Sequence, residues 1–104
     1  MARIRTFLTI RPRRNCVNDL AAFFETEKIL DKATELGCVR TELLISHDVR
    51  DKLVVVADWT EAASFRRWLK SPIRSKWMPT FERLVESSSH EMFDILQASE
   101  SDSD

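Results

Sequence analysis

The chain has 104 residues, 43% of them hydrophobic and 32% charged, with a formal net charge of −1. That length suits one domain with a small core, which a partner surface would help to complete. The balance of charge argues against a general nucleic-acid binder, and no apolar run approaches the roughly 18 residues of a membrane span. The opening Met1-Ala2-Arg3-Ile4-Arg5 has no signal-peptide apolar stretch, so a cytoplasmic location is the default expectation.

Residues 4–11 alternate in part and read as a first strand. Ile4, Leu8 and Ile10 fall on one side, with Arg3, Arg5, Phe7, Thr9 and Arg11 on the other. Pro12 cannot donate to a ladder and should end it. Asn18 is a fitting N-cap, followed by Asp19 at the positive end of the helix dipole. A single helix is then predicted as far as Leu36, where Gly37 supplies a left-handed stop. Its apolar stripe is Ala22, Phe23, Thr26, Ile29, Leu30, Ala33 and Leu36, which leaves Phe24 on the charged side.

Residues 38–46 read as a second strand, with Val39, Thr41, Leu43 and Ile45 on one face and Leu44 on the other. The polar segment 47–52 connects it to a third strand, Leu53-Val54-Val55-Val56-Ala57-Asp58-Trp59. Thr60 should cap a second helix bearing Ala62, Phe65, Trp68 and Leu69. Ser71-Pro72 opens a third helix bearing Ile73, Trp77, Phe81 and Leu84, with Pro79 expected to kink it. Residues 89–97 suggest a fourth strand, with Phe93 and Ile95 on one face and Met92 and Leu96 on the other. The domain is thus placed at residues 1–97, and the acidic segment 98–104 is expected to be disordered.

The order is β-α-β-β-α-α-β, an α+β, ferredoxin-like arrangement with helices on one face of an antiparallel sheet. The third strand is apolar on both faces: Leu53, Val55, Ala57 and Trp59 on one, Val54 and Val56 on the other. A strand covered on one side only should alternate apolar with polar. Burying one aliphatic side chain contributes about 1.5–3 kcal/mol. The second face therefore calls for a second copy of the chain, and the expected assembly is a homodimer in which two sheets form a dimeric α+β barrel.

The run Leu53 to Pro72 resembles the antibiotic biosynthesis monooxygenase (ABM) domain in three features. These are an apolar strand ending in Trp59, a helix carrying an aromatic and then Leu69, and Ser71-Pro72 before the next helix. The resemblance spans residues 3–97. It implies a small ferredoxin-like dimer. Some members oxidise aromatic polyketides with dioxygen and neither metal nor flavin, others bind and degrade haem, and many have no assigned activity. In the quinone-forming members Trp59 matches a site Trp and Phe65 a site aromatic. Val55 stands where an Asn is expected, and Phe65 lacks the Tyr hydroxyl. In the haem-degrading members Trp68 matches a site Trp, Met78 replaces the axial His, and Thr9 or Ile10 stands near the expected Asn.

Oxidising a phenolic ring without a cofactor needs an electron-rich phenolate, held by a base or by hydrogen-bond donors. Indoles offer an N–H and a stacking face. The candidate catalytic residues are therefore Trp59 and Trp68. Phe65, Trp77, Met78 and Arg74 are candidates for substrate binding, Arg74 (or Arg11) to offset an anion. The alternative for each Trp is plain core packing. Cys16 and Cys38 read as free thiols, His47 as solvated in a turn, and His90 as structural or exposed. The arginines at positions 3, 5, 11, 13 and 14 read as a solvated strand face and loop. No His and carboxylate have metal-site spacing. The first functional expectation is a cofactor-independent monooxygenase acting on a small hydrophobic or aromatic substrate, with no cofactor, metal, nucleic acid or membrane involved. A non-catalytic ligand-binding or regulatory dimer is the alternative, and a haem-binding or haem-degrading protein a further one.

Overall fold

The computed structural model describes residues 3–98, so the expected disorder of the acidic segment concerns, beyond Ala98, residues outside the described range. The elements are β1 (Ile4–Pro12), α1 (Val17–Thr26), α2 (Ile29–Thr34), β2 (Cys38–Ile45), β3 (Leu53–Trp59), α3 (Ala62–Leu69), α4 (Pro72–Leu84) and β4 (Val85–Asp94). One antiparallel sheet has the strand order β2-β3-β1-β4. This is the ferredoxin-like α+β fold expected from the sequence.

Register decides which side chains meet the helices. Ile4, Thr6, Leu8 and Ile10 of β1 lie opposite Trp59, Ala57, Val55 and Leu53 of β3. Opposed residues of an antiparallel pair share a face, so these eight side chains form one layer against the helices. Ile10, Leu53, Leu20, Phe24, Trp77 and Leu84 belong to one buried cluster, and Ile4, Ala57, Trp59, Phe65, Cys38 and Ala33 to a second.

The first helix differs from its expected form. It is two helices, broken at Glu27 and Lys28, and Lys28 takes a left-handed backbone at φ 53°. The buried pairs are Leu20 and Phe24, then Ile29 and Ala33. Each pair has the i,i+4 spacing of one helix face, but Phe24 to Ile29 is a step of five. At about 100° per residue, a continuous helix would carry Ile29 well away from that face. The break restores the phase. Phe24 is therefore buried, while Ala22 and Thr26, placed on the stripe by periodicity, are exposed.

The caps differ too. Cys16 precedes α1 and Glu61 precedes α3, neither with a side-chain cap bond, so Asn18 and Thr60 are not N-caps. Thr60 Oγ1 instead lies 3.2 Å from the Oγ of buried Ser64. Ser71 caps α4 as expected, accepting from the Arg74 backbone N–H at 3.3 Å, with Pro72 in the first turn and Pro79 inside the helix. Gly37 has φ +103°, and a Cβ there would meet Ser64 Oγ at 2.8 Å. Both the backbone and the approach of α3 thus require glycine.

In β2 the register shifts between Cys38 and Arg40. The extra residue of this bulge extrudes Val39, 51% exposed, and gives Cys38 the core position predicted for Val39. β4 begins at Val85, four residues earlier than expected, and ends at Asp94; Ile95 to Ala98 lie outside it. Its pairing with β1 shifts register between Arg11 and Pro12.

The other face of the sheet carries Leu44, Val54, Val56, Phe7 and Phe93, an apolar row running across all four strands. Leu44 and Phe93 are 45% and 48% exposed, and Phe93 meets Phe7 edge-on at 5.6 Å. Beside this row sits buried Asp58. Arg5 donates to it from Nε at 2.6 Å and Nη2 at 3.0 Å, and Arg3 lies at 3.7 Å. The Arg5 guanidinium holds the Asp58 carboxyl below the usual carboxylate range. A group depressed in the folded state stabilises above its unfolded value, about pH 4, and that contribution is lost as pH falls through the lower folded value. Asp58→Asn should therefore cost about 1.5–3 kcal/mol at neutral pH, the range for hydrogen bonds to charged groups. Urea unfolding of both proteins at pH 7 and pH 3 should show the difference shrinking in acid; an equal difference at both would contradict this origin.

Candidate functional site

Between the helices and the sheet lies a cavity of about 820 Å³ including its mouth. Alternation along β1, β2 and β3 directs Thr6, Leu8, Thr41, Val55, Ala57 and Trp59 to its floor. Phe23 and Phe24 of α1 and Ile29, Leu30 and Ala33 of α2 form one wall, so the helix break shapes the space. Phe65, Trp68 and Leu69 from α3 face Arg74, Trp77, Met78 and Phe81 from α4. All six residues proposed from sequence, Trp59, Trp68, Phe65, Trp77, Met78 and Arg74, line this one cavity.

Four of the aromatics form a continuous chain. Ring centroids are 5.5 Å apart for Phe65 and Trp59, 6.3 Å for Trp59 and Trp68, and 5.9 Å for Trp68 and Trp77. The three indoles are not equivalent. Trp59 is 1% exposed, and its Nε1–H donates to Thr6 Oγ1 at 3.1 Å; Thr6 in turn donates to the Ala57 carbonyl at 3.4 Å. Trp77 Nε1–H donates to Glu27 Oε1 at 3.2 Å, tying α4 to the break between α1 and α2. Trp68 is half-buried between them. Trp59 and Trp77 therefore have their N–H groups engaged within the protein, and Trp68 is the half-buried indole of the three.

The polar lining is sparse: Thr6, Thr41, Arg74 and His90. Thr6 is already committed to Trp59. Burial pushes the Arg74 pKa down, and no ion pair to Arg74 exists among the described residues. Met78 turns a thioether to the cavity. His90, read from sequence as structural or exposed, lines the cavity from β4, where its ring meets Phe65 edge-on at 6.1 Å. Its position opposite Leu8 was the missing signal, and that needs the β4 register. Arg11 lies elsewhere, paired with Asp51 at 3.1 Å. Cys16 and Cys38 are free thiols, and burial pushes the Cys38 thiol up. Among the described residues, no group of three or more His, Cys, Asp or Glu side chains could hold a metal ion, and no helix is long and apolar enough to cross a membrane.

Fold and cavity define a ferredoxin-like α+β domain that encloses an aromatic-walled space between its helices and sheet. The family model for antibiotic biosynthesis monooxygenase matches residues 19–88, and the chain belongs to that family. Solved structures agree in fold. SnoaB, a cofactor-independent oxygenase from Streptomyces nogalater, is 21% identical, with 94% of this chain and 97% of that one covered and a TM-score of 0.79. A protein from Shewanella oneidensis is 22% identical over 90% and 91% of the two chains, also with a TM-score of 0.79. A putative antibiotic biosynthesis monooxygenase from Chloroflexus aurantiacus is 13% identical over 94% and 97%, with a TM-score of 0.75. No curated protein sequence matches. At these identities the likeness establishes the fold, and the chemistry rests on the cavity.

Burial disfavours the charged guanidinium of Arg74, and no carboxylate pairs with it among the described residues. Arg74→Met should thus raise the melting temperature, by a few degrees at most because Arg74 keeps partial contact with water. A fall in melting temperature would show that Arg74 is held by interactions its surroundings do not suggest.

Proposed function

We propose that the protein is a cofactor-independent monooxygenase acting on a small aromatic phenol of the quinol or polyketide type. The observation that carries this reading is the cavity itself, where an indole-lined apolar space has a half-buried guanidinium, unpaired among the described residues, on its wall. Fused aromatic rings pack favourably against indole faces. A guanidinium in a poorly hydrated site favours the phenolate over the phenol. The fold shared with the Streptomyces nogalater oxygenase supports the same reading.

The reaction closes without an external reductant. A phenol with a free para carbon and one dioxygen give a para-quinone and one water. The substrate supplies all four electrons, one oxygen atom enters the new carbonyl, and the other leaves as water. Binding as phenolate raises the electron density at the para carbon where oxygen adds. Arg74 offsets the anion, Trp68 stacks on the ring, and Trp59, Phe65, Trp77 and Met78 exclude water.

Oxygen consumption with 1-naphthol, a fused-ring phenol with a free para position, tests this. Wild-type protein should consume oxygen and form 1,4-naphthoquinone. Trp68→Ala should lower kcat/KM by about 10–100-fold, the loss of roughly 1.4–2.7 kcal/mol of transition-state stabilisation. No uptake by the wild type, with tight binding of the phenol, would favour the ligand-binding alternative.

We further propose that the working unit is a homodimer joined through the open sheet face. The row Leu44, Val54, Val56, Phe7 and Phe93 is the feature that supports it, since a contiguous exposed apolar patch marks an interaction surface. Sedimentation at micromolar concentration should give a dimer, and Val56→Glu a folded monomer. A monomeric wild type would contradict this assembly.

A further inference from the structure

The proposed oxygenation needs a group that takes the phenolic proton. Guanidinium is a permanent cation, and indole N–H only donates. Thr6 is engaged with Trp59 and Ala57. His90 differs. It lies on the edge strand β4 opposite Leu8, whose side chain packs against the core from the helix side of the sheet. Opposed residues share a face, so the imidazole projects to the cavity side. It meets Phe65 there and lines the cavity that Arg74 also lines, while staying open to solvent. A neutral imidazole has one nitrogen that accepts a proton, and contact with water lets it exchange that proton between turnovers.

We infer that His90 is the catalytic proton acceptor of this site, and that its substrate is a neutral phenol or enol ionised only after binding. The inference rests on the oxygenase reading. The phenolic O–H breaks, an N–H forms on His90, and the electron pair stays on oxygen as phenolate. Dioxygen adds at the para carbon and becomes a peroxide anion. His90 returns its proton to the distal peroxide oxygen. Loss of the para C–H proton with cleavage of the O–O bond then gives the quinone, and the released hydroxide and that proton form water. His90 and the protein are regenerated, and dioxygen is the only oxidant.

The full chain tests this with two phenols. Under nitrogen, 4-nitrophenol bound to wild type should show a larger nitrophenolate absorbance fraction than free probe at the same pH. His90→Gln should still bind it, with a smaller ionised fraction. With 1-naphthol in air, His90→Gln should lose about 100-fold or more in kcat, the usual contribution of a general base, with KM held. Added imidazole should restore part of the turnover in His90→Ala. An unchanged ionised fraction in His90→Gln, or a kcat within about threefold of wild type, below any general-base contribution, would overturn the inference. Nitrophenol ionisation that falls in His90→Gln, with no oxygen uptake by wild type, would uphold His90 as proton acceptor and remove the oxygenase reading. Wild type that binds neither phenol would remove both.

Discussion

The register between β1 and β3 governs this molecule. With Ile4 opposite Trp59 and Ile10 opposite Leu53, every apolar residue of the inner layer meets a helix, and Thr6 lies two residues from Ile4 where it receives the Trp59 indole. A slip of β3 by one residue would turn Asp58 into the core and Trp59 out to the opposite face. The pairing of Asp58 with Arg5 opposes that slip from the outer face, because the ion pair is complete only in this alignment.

The cavity follows from the same alignment. Its floor is the inner layer of the sheet, with small residues, Thr6 and Ala57, beside the large Trp59. Its walls are helices held apart by aromatic rings. Glu27 fixes Trp77 from the point where α1 gives way to α2, and Thr6 fixes Trp59 from below. Two of the three indoles are thus locked by their own polar atoms, and Trp68 stands between them. Two anchored flanks thus enclose a half-buried central ring.

The sequence carried most of the architecture, because periodicity reports which face leaves water. The two-sided β3 strand, the Gly37 stop and the Ser71-Pro72 start are local signals, and each appears where the pattern placed it. Phe65, Trp68 and Trp77 line the cavity because helical spacing marks the inward face, whether that face packs or binds, and Trp59 joins them through the alternation of β3. What periodicity missed were departures from regularity. The break at Lys28 shifts phase by one residue, which hid Phe24. The bulge near Cys38 exchanges the places of Cys38 and Val39. His90 lies in a Ser- and Glu-rich stretch with no apolar rhythm, so only its partner across the ladder, Leu8, reveals where it points.

The domain has two apolar surfaces, one inside under the helices and one outside on the sheet, and under the proposed function the inner recess would take the aromatic guest and the outer row a second copy of the chain. A crystal structure of the protein soaked with 1-naphthol under nitrogen decides between them most directly. The naphthalene ring is expected against Trp68, with its oxygen toward Arg74 and His90. A ring seated instead on the outer face between Phe7 and Phe93, with the recess unchanged, would contradict that expectation.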